Sequence, residues 1–586
     1  MRGISSVRRP PETSVLRGVV VTIALLQTVA LGVLAQRGSW LSDDLTFLEQ
    51  GSRGFAPAEL LTPVNDHIAP GLRFVYAVFA EIAPLNHGLT IGWRMLMQAL
   101  AILLMGVLLM RVIGPSWWVA IGTVYYAVTP LSMPSFMSLS SGVNNLNAHV
   151  FGLLLLHATI DWHGNHRRRA LVYGPLALLI SLACWEKSVL VVVTAVALAE
   201  YVRGDSRRRW LRHGWPFAAV NGVAIVAFGI VYVAFGDPSS GQPPSAPQVL
   251  DLVARSFEVP LSSLVGGPWH WAASGQPFSF AAPPVAAIVA GAVAAATLLL
   301  VAWKRDRRAL WMWCAVGVYV LATTLVVSYG RFDTFGASFS VHYHYWSDLS
   351  IPLTLAIVLS ARTVPVAVPA VATACLMIGV VVSDAGFAVA WGKNPAKPYF
   401  AAVRMELDLA GPNVNLWDTQ MPQPIGTALM PDSRLSAVLR MARIPFRLQA
   451  PGSEPLLVDD SGAVRPAAFA TWSRGEPASR ANSFCNLLLR GTEPLRIPLT
   501  PTQNKVAGAE WYARASYFSN RENQVSVELV DADGAIAAMP TAGWPAGAGT
   551  MYLGPSRRIR ATAVQLHSTD PATNLCVERI EIGIPR

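Results

Sequence analysis

"GVVVTIALLQTVALGVLA" (Gly18 to Ala35), followed after three residues by "SWLSDDLTFLEQ" (Ser39 to Gln50), is the stretch that sets the fold. The first run approaches the roughly 20 apolar residues a helix needs to cross a bilayer core. It is long for a signal peptide, and "VLAQRG" (Val33 to Gly38) is a poor cleavage context, so it reads as a retained anchor. The second run places Asp43 and Asp44 side by side where the chain leaves the oily segment. Carboxylates beside hydrocarbon are costly to keep ionised and by default mark a functional site.

The rest of the chain repeats this pattern of long apolar runs and polar connections. Of 586 residues, 53% are hydrophobic and 14% charged, against about 25% charged in ordinary soluble domains. Apolar runs suited to spans fall at 18–36, 92–112, 117–135, 149–162, 170–184, 188–202, 216–235, 283–303, 309–329, 346–361 and 364–383. That predicts about eleven spans. A further stretch, "GLRFVYAVFAEIAPL" (Gly71 to Leu85), is broken by Arg73 and Glu81 and is expected to lie along the membrane surface.

The net charge of +10 comes from loops on alternate sides of these runs. Arg2, Arg8, Arg9 and Arg17 precede the first, and Arg111, "HGNHRRR" (His163 to Arg169), "RGDSRRRWLRH" (Arg203 to His213), "KRDRR" (Lys304 to Arg308) and Arg362 follow at every second connection. Opposite loops are nearly bare: 133–148 has no Lys or Arg, and 236–282 has only Arg255. The positive-inside rule then puts the N-terminus in the cytoplasm and residues 384–586 outside a plasma (inner) membrane. The arginines are topogenic, so the basic charge does not point to nucleic acid as a partner. CxxC, HExxH, GxxxxGK[ST] and GxGxxG are all absent, leaving direct nucleotide use without sequence support.

The expected organisation is a cytoplasmic tail (1–17), a membrane domain (18–383), an α/β segment (384–454) and a β-sandwich or jelly-roll-like domain (455–586). Helical patterning in "YFAAVRMELDLA" (Tyr399 to Ala410) and "SRLSAVLRMA" (Ser433 to Ala442) brackets a strand-like "NVNLWDT" (Asn413 to Thr419). Short alternating runs follow, among them "QVSVELVDADGAI" (Gln524 to Ile536) with an Asp-Gly hairpin signal, "RIRATAVQLH" (Arg558 to His567) and "CVERIEIGI" (Cys576 to Ile584). Trp472, Trp511, Tyr512, Tyr517 and Trp544 either form that domain's core or stack on sugars. In an oxidising compartment Cys485 and Cys576 are expected to pair, whereas Cys184, Cys314 and Cys375 lie in apolar runs.

The unusual polar residues fall in the connections assigned to the outer side. They are Asp43 and Asp44, "PVNDHIAPG" (Pro63 to Gly71) with His67, and "SSGVNNLNAH" (Ser140 to His149) with Asn144, Asn145 and Asn147. "CWEKS" (Cys184 to Ser188), "PWHW" (Pro268 to Trp271), "YGRFDTF" (Tyr329 to Phe335) and "VHYHYWSD" (Val341 to Asp348) complete the set. Each has a structural alternative. Ser42 could cap a helix whose first turn holds both aspartates, Glu186 and Lys187 could neutralise each other, and the His342–Tyr345 aromatics could form an interfacial belt.

The pattern resembles the GT-C class of membrane glycosyltransferases. The likeness rests on "SDDLTFLEQ" and "NDHIAP" in the first outer loop, "LLISLACWEKSVLVVV" ending a leucine-rich segment in a lysine, and "VHYHYWSDLSIPLTLAIVL". In the last of these the class's usual Arg is replaced by Val341 or His342. The odd number of spans and the outer domain resemble actinobacterial cell-wall arabinosyltransferases. The resemblance implies transfer of a sugar from a polyprenyl-phosphate donor to a cell-envelope glycan, by inversion. It implies Asp43 or Asp44 as general base, with Asp43 favoured, and Lys187, Arg331, His342 and Tyr343 on the donor phosphate. His67, Asn144, Asn145 and Asn147 would contact sugar. No cofactor is implied with certainty, and a divalent metal stays open. A transporter of lipid-linked sugars and a non-catalytic glycan-binding scaffold are the alternatives.

Overall fold

The computed structural model describes residues 12–63, 67–164, 167–203, 207–236, 244–272, 280–364, 367–427, 430, 432–476, 485, 487–502 and 510–586; the side chains of 207–213, 327–331, 333–335 and 367–372 are also outside the described set. The chain divides into two units, Met1–Asn394 and Pro395–Arg586.

The first unit is helical. Six stretches among the described residues are long and apolar enough to cross a membrane: Thr13–Ala35, His87–Ile113, Gly214–Phe235, Val285–Arg305, Arg307–Val326 and Thr373–Ala410. Their outward residues are apolar too. Leu25, Leu26 and Val33 of the first helix are exposed, as are Val223, Ile230 and Val233 of helix Arg207–Phe235. A helix oily on its exposed side belongs in lipid rather than water. The expected eleven is not reached by this criterion. Helices Trp117–Val128, Val191–Val202 and Ser350–Ala361 have 12 residues each, about 18 Å at 1.5 Å per residue. Arg167–Cys184 opens on three arginines, and Leu139–His163 carries Asn144, Asn145, Asn147 and His149.

The arginine-bearing ends are knit together by hydrogen bonds. Arg111 pairs with Asp161, which also accepts from the Tyr173 hydroxyl. Arg362 donates to Asp306 at 2.9 Å, and the Tyr201 hydroxyl donates to the same carboxylate at 3.3 Å. Gly71 matters at the other end. A Cβ there would lie 2.9 Å from the Cys184 sulfur, so glycine lets helix Pro70–Ile82 pack closely against the end of helix Arg167–Cys184. The last helix of the unit, Ala367–Trp391, runs past the expected boundary at 383 because Phe387 and Trp391 are buried in the helical core and the Asn394 amide donates to the Ser39 carbonyl at 3.1 Å.

The second unit holds two sheet systems. Strands Phe446–Leu448, Val414–Leu416 and Leu456–Val458 are parallel, and Val464–Pro466 adds antiparallel to them. Helices Ala396–Ala410 and Leu435–Met441 precede and interrupt this sheet. Residues 455–466, expected in the sandwich, therefore belong to the small α/β sheet. A sandwich follows. One sheet runs Ile536–Ala538, Asn523–Asp531, Ala561–Ser568, Leu495–Pro498; the other runs Gly547–Arg557, Glu510–Ser519, Asn574–Pro585, Phe469–Gly475, Thr500–Pro501. The Asp-Gly signal is a hairpin turn: Gly534 has φ 84° and Val530 pairs with Ile536. Trp511, Tyr512, Tyr517 and Trp544 are buried in the core, and half-buried Trp472 stacks on Trp511 at 4.8 Å. Cys485 and Cys576 form a disulfide with Cα atoms 5.8 Å apart, beside the pairing of Cys576 with Leu488.

Candidate active site

The acidic pair opens a short helix, Asp43–Gly51, with Ser42 at the N-cap position. Ser42 does not cap through its side chain; its backbone sits at φ 47°, a region L-residues adopt under strain, and such strain concentrates at functional sites. Consecutive helical side chains diverge by about 100°, and the two aspartates separate accordingly. Asp44 is buried. Its carboxylate accepts from the Ser140 amide at 2.8 Å, the Ser138 hydroxyl at 3.2 Å and the Leu41 amide at 3.3 Å. Ser138 and Ser140 begin helix Leu139–His163, so Asp44 is a capping carboxylate supplied from another element, placed at the positive end of that helix. Asp43 is half-buried and lines a polar cleft.

That cleft is built from connections and terminal turns. Asp43 and Phe47 come from the acidic helix; His67, Ala69, Leu72 and Arg73 from the start of helix Pro70–Ile82; Ser140, Ser141, Asn144 and Asn145 from the first turns of helix Leu139–His163. Trp185 and Glu186 follow helix Arg167–Cys184, and His344 and Tyr345 precede helix Ser350–Ala361. With its open mouth included the cleft encloses about 690 Å³. Its wall is held by close packing: a Cβ on Gly51 would lie 2.6 Å from the Tyr76 carbonyl carbon, so only glycine lets the acidic helix touch helix Pro70–Ile82 this closely.

The cleft supplies both hydrogen-bond acceptors and donors. Among the described residues the buried Oδ1 atoms of Asn144 and Asn145 have no hydrogen-bond partner, while the Asn145 amide nitrogen donates to the Ser141 carbonyl at 3.0 Å. Asn147 is buried beyond the cleft lining. His67 Nδ1 and the Glu186 carboxylate form a hydrogen bond, which fixes the ring with Nε2 on its far side. Buried polar atoms without partners are rare in folded proteins and need an explanation.

The residues expected on a donor phosphate are placed differently. Lys187 turns away from the cleft: its ammonium is buried against Asp348 at 2.7 Å, hydrogen bonds the Tyr345 carbonyl, and stands over the Trp185 ring at 4.6 Å. Tyr319 donates to the other oxygen of Asp348. Glu186 and Lys187 therefore do not neutralise each other; each has a partner on a distant segment. Tyr343 is fully buried, with its hydroxyl 3.0 Å from Ser262 Oγ. His342 stacks on Phe280 at 4.2 Å, with its Nε2 3.1 Å from His344 Nδ1. In "VHYHYWSD" it is His344 and Tyr345, one step along, that line the cleft. The Arg331 side chain lies outside the described residues. Among the described residues no group of three or more His, Cys, Asp or Glu side chains is disposed to hold a metal ion.

The residue missed from sequence is Arg73. It lines the cleft, is 4% exposed, and among the described residues its Nη2 has no hydrogen-bond partner. Desolvation by burial lowers its pKa from 12.5 to about 10, leaving it charged at neutral pH. The signal was present as an arginine in an apolar stretch.

Fold and site together define a helical membrane protein with a polar cleft at its helix ends and a separate β-rich unit. No known family model matches the chain, and no curated protein matches it. Among solved structures it is similar to the arabinosyltransferase EmbB from Mycobacterium smegmatis, determined by single-particle cryo-EM, at 15% identity and a TM-score of 0.29. The match covers 98% of this chain and 64% of that one, so this chain spans just under two thirds of that enzyme's length. At that identity and score the likeness carries no functional assignment.

Proposed function

We propose that the protein is an integral membrane glycosyltransferase of GT-C type, taking a sugar from a polyprenyl-phosphate donor to a cell-envelope glycan on the extracytoplasmic side. The observation that carries this reading is the division of labour in the acidic pair. Asp44 holds the end of helix Leu139–His163, and Asp43 lines the cleft wall together with Asn144, Asn145 and a buried guanidinium. A carboxylate so placed is suited to take the proton of an attacking hydroxyl. The acceptor oxygen forms a bond to the anomeric carbon as the bond from that carbon to the phosphate oxygen breaks, and its electron pair leaves with the phosphate. The acceptor proton passes to Asp43. One base suffices for such a single displacement, and the configuration inverts. His67, held by Glu186, together with Asn144 and Asn145, binds sugar hydroxyls. The leaving phosphate is stabilised by a fixed cation.

The direct test is to incubate the purified full-length protein with a panel of polyprenyl-phosphate sugars and envelope glycan fragments, following released polyprenyl phosphate. Release dependent on both donor and acceptor is expected. Absence of release with every donor, alongside protein-dependent movement of intact lipid-linked sugar across vesicles, would favour a transporter instead.

A further inference from the structure

We infer that Arg73 is an anion-binding residue of the cleft, receiving the oxygens of a lipid-linked phosphate. The inference deepens the transferase reading, on which only the carrier of the phosphate rests.

Two buried arginines in the same region differ in their partners. Arg94 is 1% exposed and well partnered: Nη1 donates to the Phe136 and Met137 carbonyls at 2.7 and 2.5 Å, and Nε to the Thr90 carbonyl at 3.2 Å. Arg94 also lies within reach of the charge of Asp44. Such an arginine is structural. Arg73 is 4% exposed, and among the described residues its side chain makes no hydrogen bond or ion pair, with Nη2 buried and unpartnered. Burying a charge without a partner costs several kcal/mol, so the free protein holds Arg73 at a loss that some ligand must offset.

Among the described residues three nearby carboxylates are committed elsewhere, while Asp43 lines the same cleft. Glu49 holds Arg53 at 3.0 Å, Glu186 holds His67, and Asp44 holds the helix end. The Arg53 charge acts against the Arg73 cation, and Glu59 and Glu49 act for it only through space. The guanidinium faces a cleft whose other unpartnered groups, the Asn144 and Asn145 oxygens, call for hydroxyl donors. An anion beside hydroxyls describes a phosphorylated sugar. A planar guanidinium meets two phosphate oxygens with two parallel N–H donors in a fixed fork, a geometry that a lysine ammonium lacks.

The test uses the full-length protein in detergent, with farnesyl phosphate as probe, farnesol as its neutral counterpart and inorganic phosphate as the carrier-free anion. Arg73→Met keeps much of the stem and removes the charge. It should lower farnesyl phosphate affinity by about 10- to 100-fold, leave farnesol binding unchanged, and leave the melting temperature of the ligand-free protein equal or raised. Arg73→Lys, which keeps the charge without the fork, should recover only part of the affinity. Equal farnesyl phosphate affinity in wild type and Arg73→Met overturns the anion site. A lowered melting temperature in Arg73→Met together with wild-type affinity in Arg73→Lys overturns it as well, by making the residue structural. Inorganic phosphate displacing farnesyl phosphate at equal concentration overturns the lipid-linked source. Binding is read without any transfer, so a wild-type protein that binds farnesyl phosphate through Arg73 yet transfers no sugar contradicts the transferase reading alone.

Discussion

Removing Asp44 should break the fold before it touches the chemistry. Asp44→Ala strips the acceptor from the Ser140 and Leu41 amides and the Ser138 hydroxyl. A buried donor left without an acceptor costs about 1–3 kcal/mol. Losing a negative charge at a partly buried helix N-terminus adds about 0.3–2 kcal/mol. The Leu41 contact, at 3.3 Å, is the weakest of the three. Because the terms share one carboxylate they do not add fully, and the expected loss is about 3–5 kcal/mol. Asp44→Asn can turn its remaining oxygen toward Ser140 and Ser138, but its amide then faces the Leu41 N–H, so about 1–2 kcal/mol should go. Asp43→Asn should cost less than Asp44→Ala, since Asp43 is only half-buried and asparagine keeps its size and most hydrogen bonds. Thermal unfolding of the three purified variants in detergent, tracked by tryptophan fluorescence, ranks them. An Asp44→Ala protein that melts like wild type, or an Asp43→Asn protein that loses as much as Asp44→Ala, would refute the assignment of the capping role to Asp44.

Two more predictions concern buried charge. Lys187→Met leaves Asp348 buried beside Tyr319 and should cost about 3–5 kcal/mol; adding Asp348→Asn should recover part of that loss in the melting temperature, whereas simple additivity would show that the pair is not coupled. In the β-rich unit, burial raises the pKa of Glu581, but hydrogen bonds and charge from Arg514 and Arg474 outweigh it and hold the carboxyl below its usual 4.5. A depressed carboxylate stabilises fully above its unfolded pKa and loses that contribution as pH falls through the folded value. Unfolding midpoints should therefore drop below about pH 4.5, and Glu581→Gln, less stable at neutral pH, should flatten that acid slope; an unchanged slope counts against the ion-pair cluster.

The helical half of the molecule was legible because lipid imposes long apolar runs, although six stretches, not the expected eleven, are long and apolar enough to cross among the described residues. The sandwich was legible in its strongest strands, where side chains alternate and Asp533-Gly534 turns the chain. The small parallel sheet was not foreseen over 456–466, since its strands have three residues each, too few to show a period. At the site, helical geometry alone said that only one of Asp43 and Asp44 could face the reaction. Which one, and what occupied the other, depended on Ser138 and Ser140, far along the chain. The Glu186–Lys187 pair shows the same limit: adjacent side chains take opposite sides, and the partner that draws Lys187 inward is 161 residues away. Arg73 was visible as a charge in an apolar stretch. That charge argues against a span, and its cost beside hydrocarbon equally marks a functional residue.

Single-turnover transfer by purified Asp43→Asn protein, supplied with whichever polyprenyl-phosphate sugar the wild type uses, tests the central claim most directly. Asparagine keeps the size of the side chain and most of its hydrogen bonds while removing its basicity. With folding and donor binding unchanged, transfer should fall by about 10²–10⁴-fold. A well-folded Asp43→Asn protein transferring at the wild-type rate would contradict the account.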